Sequence, residues 1–294
     1  MKIKLLIPII FLFLSSMSFA QEQPAIPGEV GKDFCARDDS KFAHTIIIID
    51  VSSKLDQAQL DYIKGKVFTK NFYLSYSPFT KFSYLLINNN KKPQSQNFIF
   101  SMCRPKSGTK TRFGALDLNN DSENKVIVKK YFTKFMKKAE SASEELGNYY
   151  DASVPNNKQK SYIYETIAAV FDMSKFDFEL GSYGGYKRGT RDLIVISDMM
   201  QHTARLSFYE KCKPYILTKA KCPTYKSLIK ETTTRDYIQK TSPKNPSSSI
   251  QLYFLTHRNE TTIDLDTSLE RLWNQYLISA GFSSINFERQ LDIQ

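Results

Sequence analysis

The chain has 294 residues, 24% of them charged and 41% hydrophobic, with 11 Gly and 11 Pro. Apolar material for a packed core is ample, which excludes collagen, a mucin-like stalk and a wholly disordered chain. Its 41 Lys+Arg outweigh 30 Asp+Glu for a formal charge of +11, and three His with four Cys leave little raw material for a zinc cluster.

Residues 1–20 read as a secretory signal peptide. Lys2 and Lys4 form a positive n-region, residues 5–14 an apolar run, and Ser18-Phe19-Ala20 puts small residues at the −3 and −1 positions of a cleavage site. A membrane anchor would need about 20 apolar residues, more than this run has. Without a Cys after the run there is no lipoprotein attachment point. The expectation is a soluble periplasmic or secreted protein with no transmembrane segment after cleavage. In an oxidising compartment the cysteines read as disulfides. Cys35, Cys103, Cys212 and Cys222 allow three pairings. Cys212 and Cys222 bracket a short loop holding Pro214 and are followed by Pro223, so they are paired here, leaving Cys35 with Cys103.

Residues 21–42, with Pro24, Pro27, Gly28 and Gly31, read as an extended leader, and one domain is expected over 43–294. The run Thr45-Ile46-Ile47-Ile48-Ile49-Asp50-Val51 suits a strand buried on both faces of a parallel sheet. A polar turn follows, then a helix starting near Asp56 through Leu60, Ile63 and Val67. Strands at 82–87 and 98–102 form a predicted hairpin, and 104–120 a loop. Asp121 is a candidate N-cap for a long helix with Ile127, Val128, Tyr131, Phe135, Met136 and Ala139 on one stripe and five lysines between 129 and 138 on the other face. That basic row is read as a solvated face. Then come a helix over 162–171, a glycine-rich connection at 181–189, and a second buried strand at 193–196 leading into Ser197-Asp198. A helix over 227–239, a Pro/Ser linker at 242–249, a strand at 252–255, a helix from 265 stopped by Gly281 and a strand at 285–287 complete the chain. The expected fold is α/β: an open, mostly parallel, doubly wound sheet flanked by helices, with a short antiparallel edge hairpin.

In such sheets, ligands bind beyond the carboxyl ends of the strands, where strand order reverses. Asp50, Ser52 and Ser53 follow the first buried strand, Ser197 and Asp198 the later one, and Ser161 opens the helix between them. Two carboxylates and several hydroxyls are hard oxygen donors of the kind magnesium accepts. The order of these motifs resembles a von Willebrand factor A-type domain, whose metal-ion-dependent adhesion site uses Asp-x-Ser-x-Ser, a distant Thr and a distant Asp. Asp50-Val51-Ser52-Ser53-Lys54 matches the first element except at its end, Ser161 stands where the family has Thr, and Asp198 matches the last Asp. The chain is also similar to exported bacterial proteins of this degenerate fold through Ile196-Ser197-Asp198-Met199-Met200-Gln201 and Leu206-Ser207-Phe208-Tyr209.

That resemblance implies a protein-interaction module, not an enzyme. Asp50, Ser52, Ser161 and Asp198 would be its metal ligands, and the rim would meet a protein partner. Lys54 replaces a ligand Ser, and an ammonium has no lone pair for a cation. Two outcomes stay open, a weak magnesium site or none, and so does a purely structural use of both aspartates as caps. Met199, Met200 and the 212–222 loop are expected beside the rim. A phosphoesterase with Asp50 as nucleophile, helped by Asp198 and Lys54, is the enzymatic alternative; an inert component of an envelope assembly is another. No nucleophile elbow, phosphate loop or dinucleotide fingerprint is present. No nucleic-acid motif accompanies the charge, and peripheral contact with anionic envelope components is the remaining electrostatic expectation.

Overall fold

In the computed structural model the described residues are 43–53, 55–88, 98–107, 125–148, 160–172, 191–212, 222–243, 249–255 and 262–289. The expected signal peptide and leader, Cys35, Lys54, Asp121 and the loop interior at 213–221 lie outside them.

Six strands form one sheet: β1 (His44–Asp50), β2 (Lys81–Ile87), β3 (Phe98–Cys103), β4 (Arg191–Ser197), β5 (Ser249–Phe254) and β6 (Ser284–Arg289). Their order is β3-β2-β1-β4-β5-β6, and all neighbours are parallel except the β2–β3 edge pair. β1 is the central ribbon, pairing Ile46 with Ser83 on one side and Leu193 on the other. All seven of its residues are buried.

Side-chain alternation along β1 divides the core in two. Ile46 and Ile48 join Leu193 and Val195 against α4 (Ile163–Asp172), α7 (Thr232–Lys240) and α8 (Thr262–Ser279). Ile47 and Ile49 join Ile194 and Ile196 against α1 (Gln57–Val67), α2 (Lys70–Leu74) and α3 (Lys125–Gly147). Helices therefore cover both faces, which is the doubly wound arrangement. Each fully buried isoleucine contributes about 1.5–3 kcal/mol by leaving water.

Local signals explain where several helices begin and end. Asp56 caps α1 in a capping box, accepting from the Gln59 N–H at 2.7 Å while the Gln59 side chain accepts from the Asp56 N–H at 3.0 Å. Thr69 caps α2, a helix too short to show periodicity in the sequence. Gly281, at φ 91, supplies the left-handed turn after α8. The single helix expected over 227–239 is two: α6 (Tyr225–Leu228), capped by Thr224, and α7. The Ile229–Glu231 turn parts them, and Leu228, Tyr237 and Ile238 reach the same core from both pieces. Ahead of them α5 (Phe208–Lys211) starts at the Ser207 cap.

Cys212 and Cys222 are joined, with Cα atoms 4.6 Å apart, and both are buried. Cys103 is also disulfide-bonded. Among the described residues, no helix is long and apolar enough to cross a membrane.

Candidate functional site

β1 and β4 are neighbours, and the chain leaves them in opposite directions. After β1 it runs to α1 on one face of the sheet; after β4 it runs to Leu206 and Phe208 on the other. The crevice at their carboxyl ends is thus the point where strand order reverses. Parity then decides which side chains meet there. Residues 46, 48 and 50 of β1 and 193, 195 and 197 of β4 point toward α4, so Asp50 and Ser197 end up side by side next to the entry of that helix.

Asp50 is 4% exposed. Its Oδ2 accepts from Ser161 Oγ at 2.7 Å and from Ser197 Oγ at 2.8 Å, while Oδ1 accepts from the Ser52 N–H at 2.9 Å. Ser161 is held by a two-way backbone bridge with His202: the Ser161 N–H donates to the His202 carbonyl at 2.9 Å, and the Ser161 carbonyl accepts from the His202 N–H at 3.0 Å. His202 in turn bridges to Ser207, and its Nδ1 lies 2.8 Å from Ser207 Oγ. The sequence alone gives no reason to prefer His202 over a surface histidine; its work here is to dock the Ser161 segment.

Asp198 is placed just beyond β4. Its Oδ1 accepts from the Met200 N–H at 2.9 Å and its Oδ2 from the Tyr209 hydroxyl at 2.8 Å. Asp50 and Asp198 each therefore fold their carboxylate back on the backbone two residues ahead, the Asx turn that aspartate favours. Ser197 stands between them. It accepts from the Met199 N–H at 2.9 Å and approaches Asp198 Oδ1 at 3.4 Å. One hydroxyl has one proton, and the shorter contact, to Asp50, takes it.

The electrostatics follow from burial. The Asp50 carboxyl is pushed above the usual aspartate range first by desolvation and then by the neighbouring Asp198 charge; bonds from Ser52 and Ser161 pull it partly back. The Tyr209 hydroxyl is pushed up by burial and by Asp198, so it stays protonated and a donor. A second polar cluster backs the rim. Fully buried Gln201 accepts from the Tyr164 N–H at the start of α4 (3.0 Å) and donates to Glu165 (3.0 Å) and to the Tyr237 oxygen (3.1 Å). Tyr237 donates to the other Glu165 oxygen. Burial raises the Glu165 carboxyl.

Met199 and Met200 do not line the rim, contrary to their expected place. They are 0% and 4% exposed and belong to the core. Met199 takes a left-handed backbone, φ 59, and its carbonyl accepts from Trp273 Nε1 at 3.0 Å. That turn drives the side chain inward. The rim's exposed member is Tyr209, 40% accessible.

The donor set meets the chemistry of a hard cation. The carboxylates and the Ser52, Ser161 and Ser197 hydroxyls supply only oxygen, and hydroxyls that donate to Asp50 keep lone pairs. The two adjacent acids also share a like-charge conflict that a cation would relieve. No cluster of three or more His, Cys, Asp and Glu suited to a metal occurs among the described residues. Any ion here would rest on hydroxyls and Asp198.

No family model matches the chain, and no curated protein does. Among solved structures, the human COPII-coat protein Sec24c superposes with a TM-score of 0.32 at 8% identity, covering 85% of this chain and 30% of that one. The chain thus spans less than a third of Sec24c. An aerotolerance-related membrane protein from Bacteroides fragilis superposes with a TM-score of 0.32 at 11% identity, over 85% of this chain and 92% of that one. What is established for this chain is its α/β architecture: among the described residues, six mostly parallel strands between two helical layers.

Proposed function

We propose that the chain is an exported protein-interaction module of von Willebrand A-like type, docking a protein partner at the rim built by Asp50, Ser52, Ser161 and Asp198. The observation that supports this is the division of labour between the two acids. Asp50 is buried and fully occupied in ordering Ser52, Ser161 and Ser197, whereas Asp198 is only partly covered and is tied to the exposed Tyr209. Such a rim offers a rigid floor and an accessible polar edge, which suits recognition. Magnesium, where it binds, would be held weakly by Ser52, Ser161 and Asp198, with Asp50 orienting the hydroxyls, and would attract a partner's carboxylate.

The phosphoesterase alternative asks more of Asp50. A nucleophilic carboxylate must present a free oxygen to the phosphorus, and here both oxygens accept hydrogen bonds beneath the surface. The test compares wild type, Asp198→Ala and Tyr209→Ala as baits for an envelope extract. A partner recovered by wild type and lost with both variants supports rim docking; equal recovery by all three refutes it. Calorimetric titration with magnesium, on wild type and Asp198→Ala, decides the metal part. Phosphatase activity that disappears in Asp50→Asn would replace the binding reading with the enzymatic one.

A further inference from the structure

α3 carries an exposed basic face. Its inner stripe, Phe132, Phe135, Ala139, Ala142 and Leu146, is buried in the core beside the sheet, and Val128 on the same stripe is buried too. At 3.6 residues per turn, Lys130, Lys134 and Lys137 fall on the opposite side, flanked by Lys129 and Lys138, and all five are exposed. They extend over about 14 Å of helix.

Their order runs against the helix dipole. Lysines fill the N-terminal half and Glu140, Glu144 and Glu145 the C-terminal half, with no acidic residue in the first turn and no basic one in the last. The dipole favours the reverse, so this arrangement does not serve helix stability. Among the described residues, Lys129, Lys130, Lys137 and Lys138 enter no ion pair. Val126, 76% exposed, lies on the same side as the lysines at the N-terminal end.

We propose that the N-terminal half of α3 is a contact surface for an anionic lipid membrane, separate from the rim and independent of its chemistry. The choice of occupant follows from what the face lacks. A protein partner on a helix reads apolar anchors at i, i+3, i+4 and i+7, and those positions here point into the core. Single-stranded nucleic acid needs exposed aromatics for stacking, yet Phe132 and Phe135 are buried. A convex row of ammonium groups with one apolar side chain at its end matches a laterally adaptable layer of phosphate headgroups. With the lysine half docked, a tilt of the helix would hold Glu140, Glu144 and Glu145 off the anionic surface.

Each lysine near an anionic leaflet strengthens binding about five-fold. Cosedimentation would use residues 21–294, without the expected signal peptide, and vesicles of phosphatidylcholine alone or with 30% phosphatidylglycerol. Wild type should bind only the anionic vesicles and release when salt is raised from 0.1 to 0.5 M, as the screening length shrinks. Lys130→Gln/Lys134→Gln/Lys137→Gln should bind about 100-fold more weakly. A control of equal charge loss, Lys226→Gln/Lys230→Gln/Lys240→Gln, should bind as wild type, with unchanged circular dichroism in both. Binding indifferent to phosphatidylglycerol, or weakened equally in the two triple variants, overturns the proposal. So does tighter binding of wild type to a single-stranded oligonucleotide than to the anionic vesicles.

Discussion

Ser197→Ala tests whether the rim is a cooperative polar unit. The Ser197 hydroxyl is fully buried, gives its proton to Asp50 Oδ2 at 2.8 Å and accepts from the Met199 N–H at 2.9 Å. Alanine removes both contacts while adding no bulk. A hydrogen bond to a charged acceptor is worth about 1.5–3 kcal/mol, and a buried N–H left without a partner costs about 1–3 kcal/mol. The two terms overlap, because the cavity left by one hydroxyl lets neighbours relax. A net loss of about 3 kcal/mol is expected, which moves a urea midpoint by about 1 M at a slope near 3 kcal/mol per M. Exposed Ser141, which only bonds back to the Lys137 carbonyl, is the control, and Ser141→Ala should shift stability by less than about 0.5 kcal/mol. Repeating Ser197→Ala in an Asp50→Asn background should expose a coupling of at least about 1 kcal/mol. If Ser197→Ala behaves like the Ser141 control, or the double variant is simply additive, the rim is not an interlocked unit.

The remaining expectations are simpler. Asp50 and Glu165 both hold their protons to higher pH in the folded chain than in the unfolded one. In the window between those values the folded state binds more protons, so stability falls as pH rises through it and returns on acidification; urea titrations from pH 7 downward should show that gain, and Asp50→Asn should remove part of it. A stability that only declines on acidification through this window contradicts the assignment. Gly65 is an exposed position in the last turn of α1 with nothing within 4 Å of an added Cβ, so Gly65→Ala should stabilise by about 0.5 kcal/mol in thermal unfolding, the lower end of the helix-interior gain; a lower midpoint would show that the helix tolerates no side chain there. Replacing Cys212 and Cys222 together by serine opens a loop of separation 10, with an expected loss of about 3 kcal/mol by loop entropy; an unchanged urea midpoint would mean that this bond adds nothing to the stability of the fold.

The parts of the fold that could be read from sequence are those where one physical rule dominates. An unbroken β-branched run such as 45–49 is compatible with little except a central strand, and the apolar run 193–196 reads the same way. From those two strands the parity of positions 50 and 197 follows, and with it the meeting of Asp50 and Ser197. Ser197 was harder to single out because a serine ending a strand carries no pattern of its own. Their place after a strand puts Met199 and Met200 beside the rim in the sequence reading. A left-handed residue and a tryptophan N–H 74 positions away turn them inward, and neither has a local signature. Gln201 is similar: a glutamine in a polar turn looks solvated until α4 brings an unsatisfied N–H and Glu165 to it. The α6–α7 break escapes periodicity because both pieces aim at one core. The lysine row of α3 was legible as a row; that it opposes the dipole matters only once the helix bounds are known.

The partners of Asp50 come from remote parts of the chain, Ser161 at a separation of 111 residues and Ser197 at 147. Neither bond can form until β1 and β4 have zipped together and α4 has been laid down between them in the chain. Closing loops of that size makes such contacts late events. The polar rim is therefore a seal on completed folding, and a chain cleaved or stalled between 51 and 160 would keep Asp50 without its serine shell.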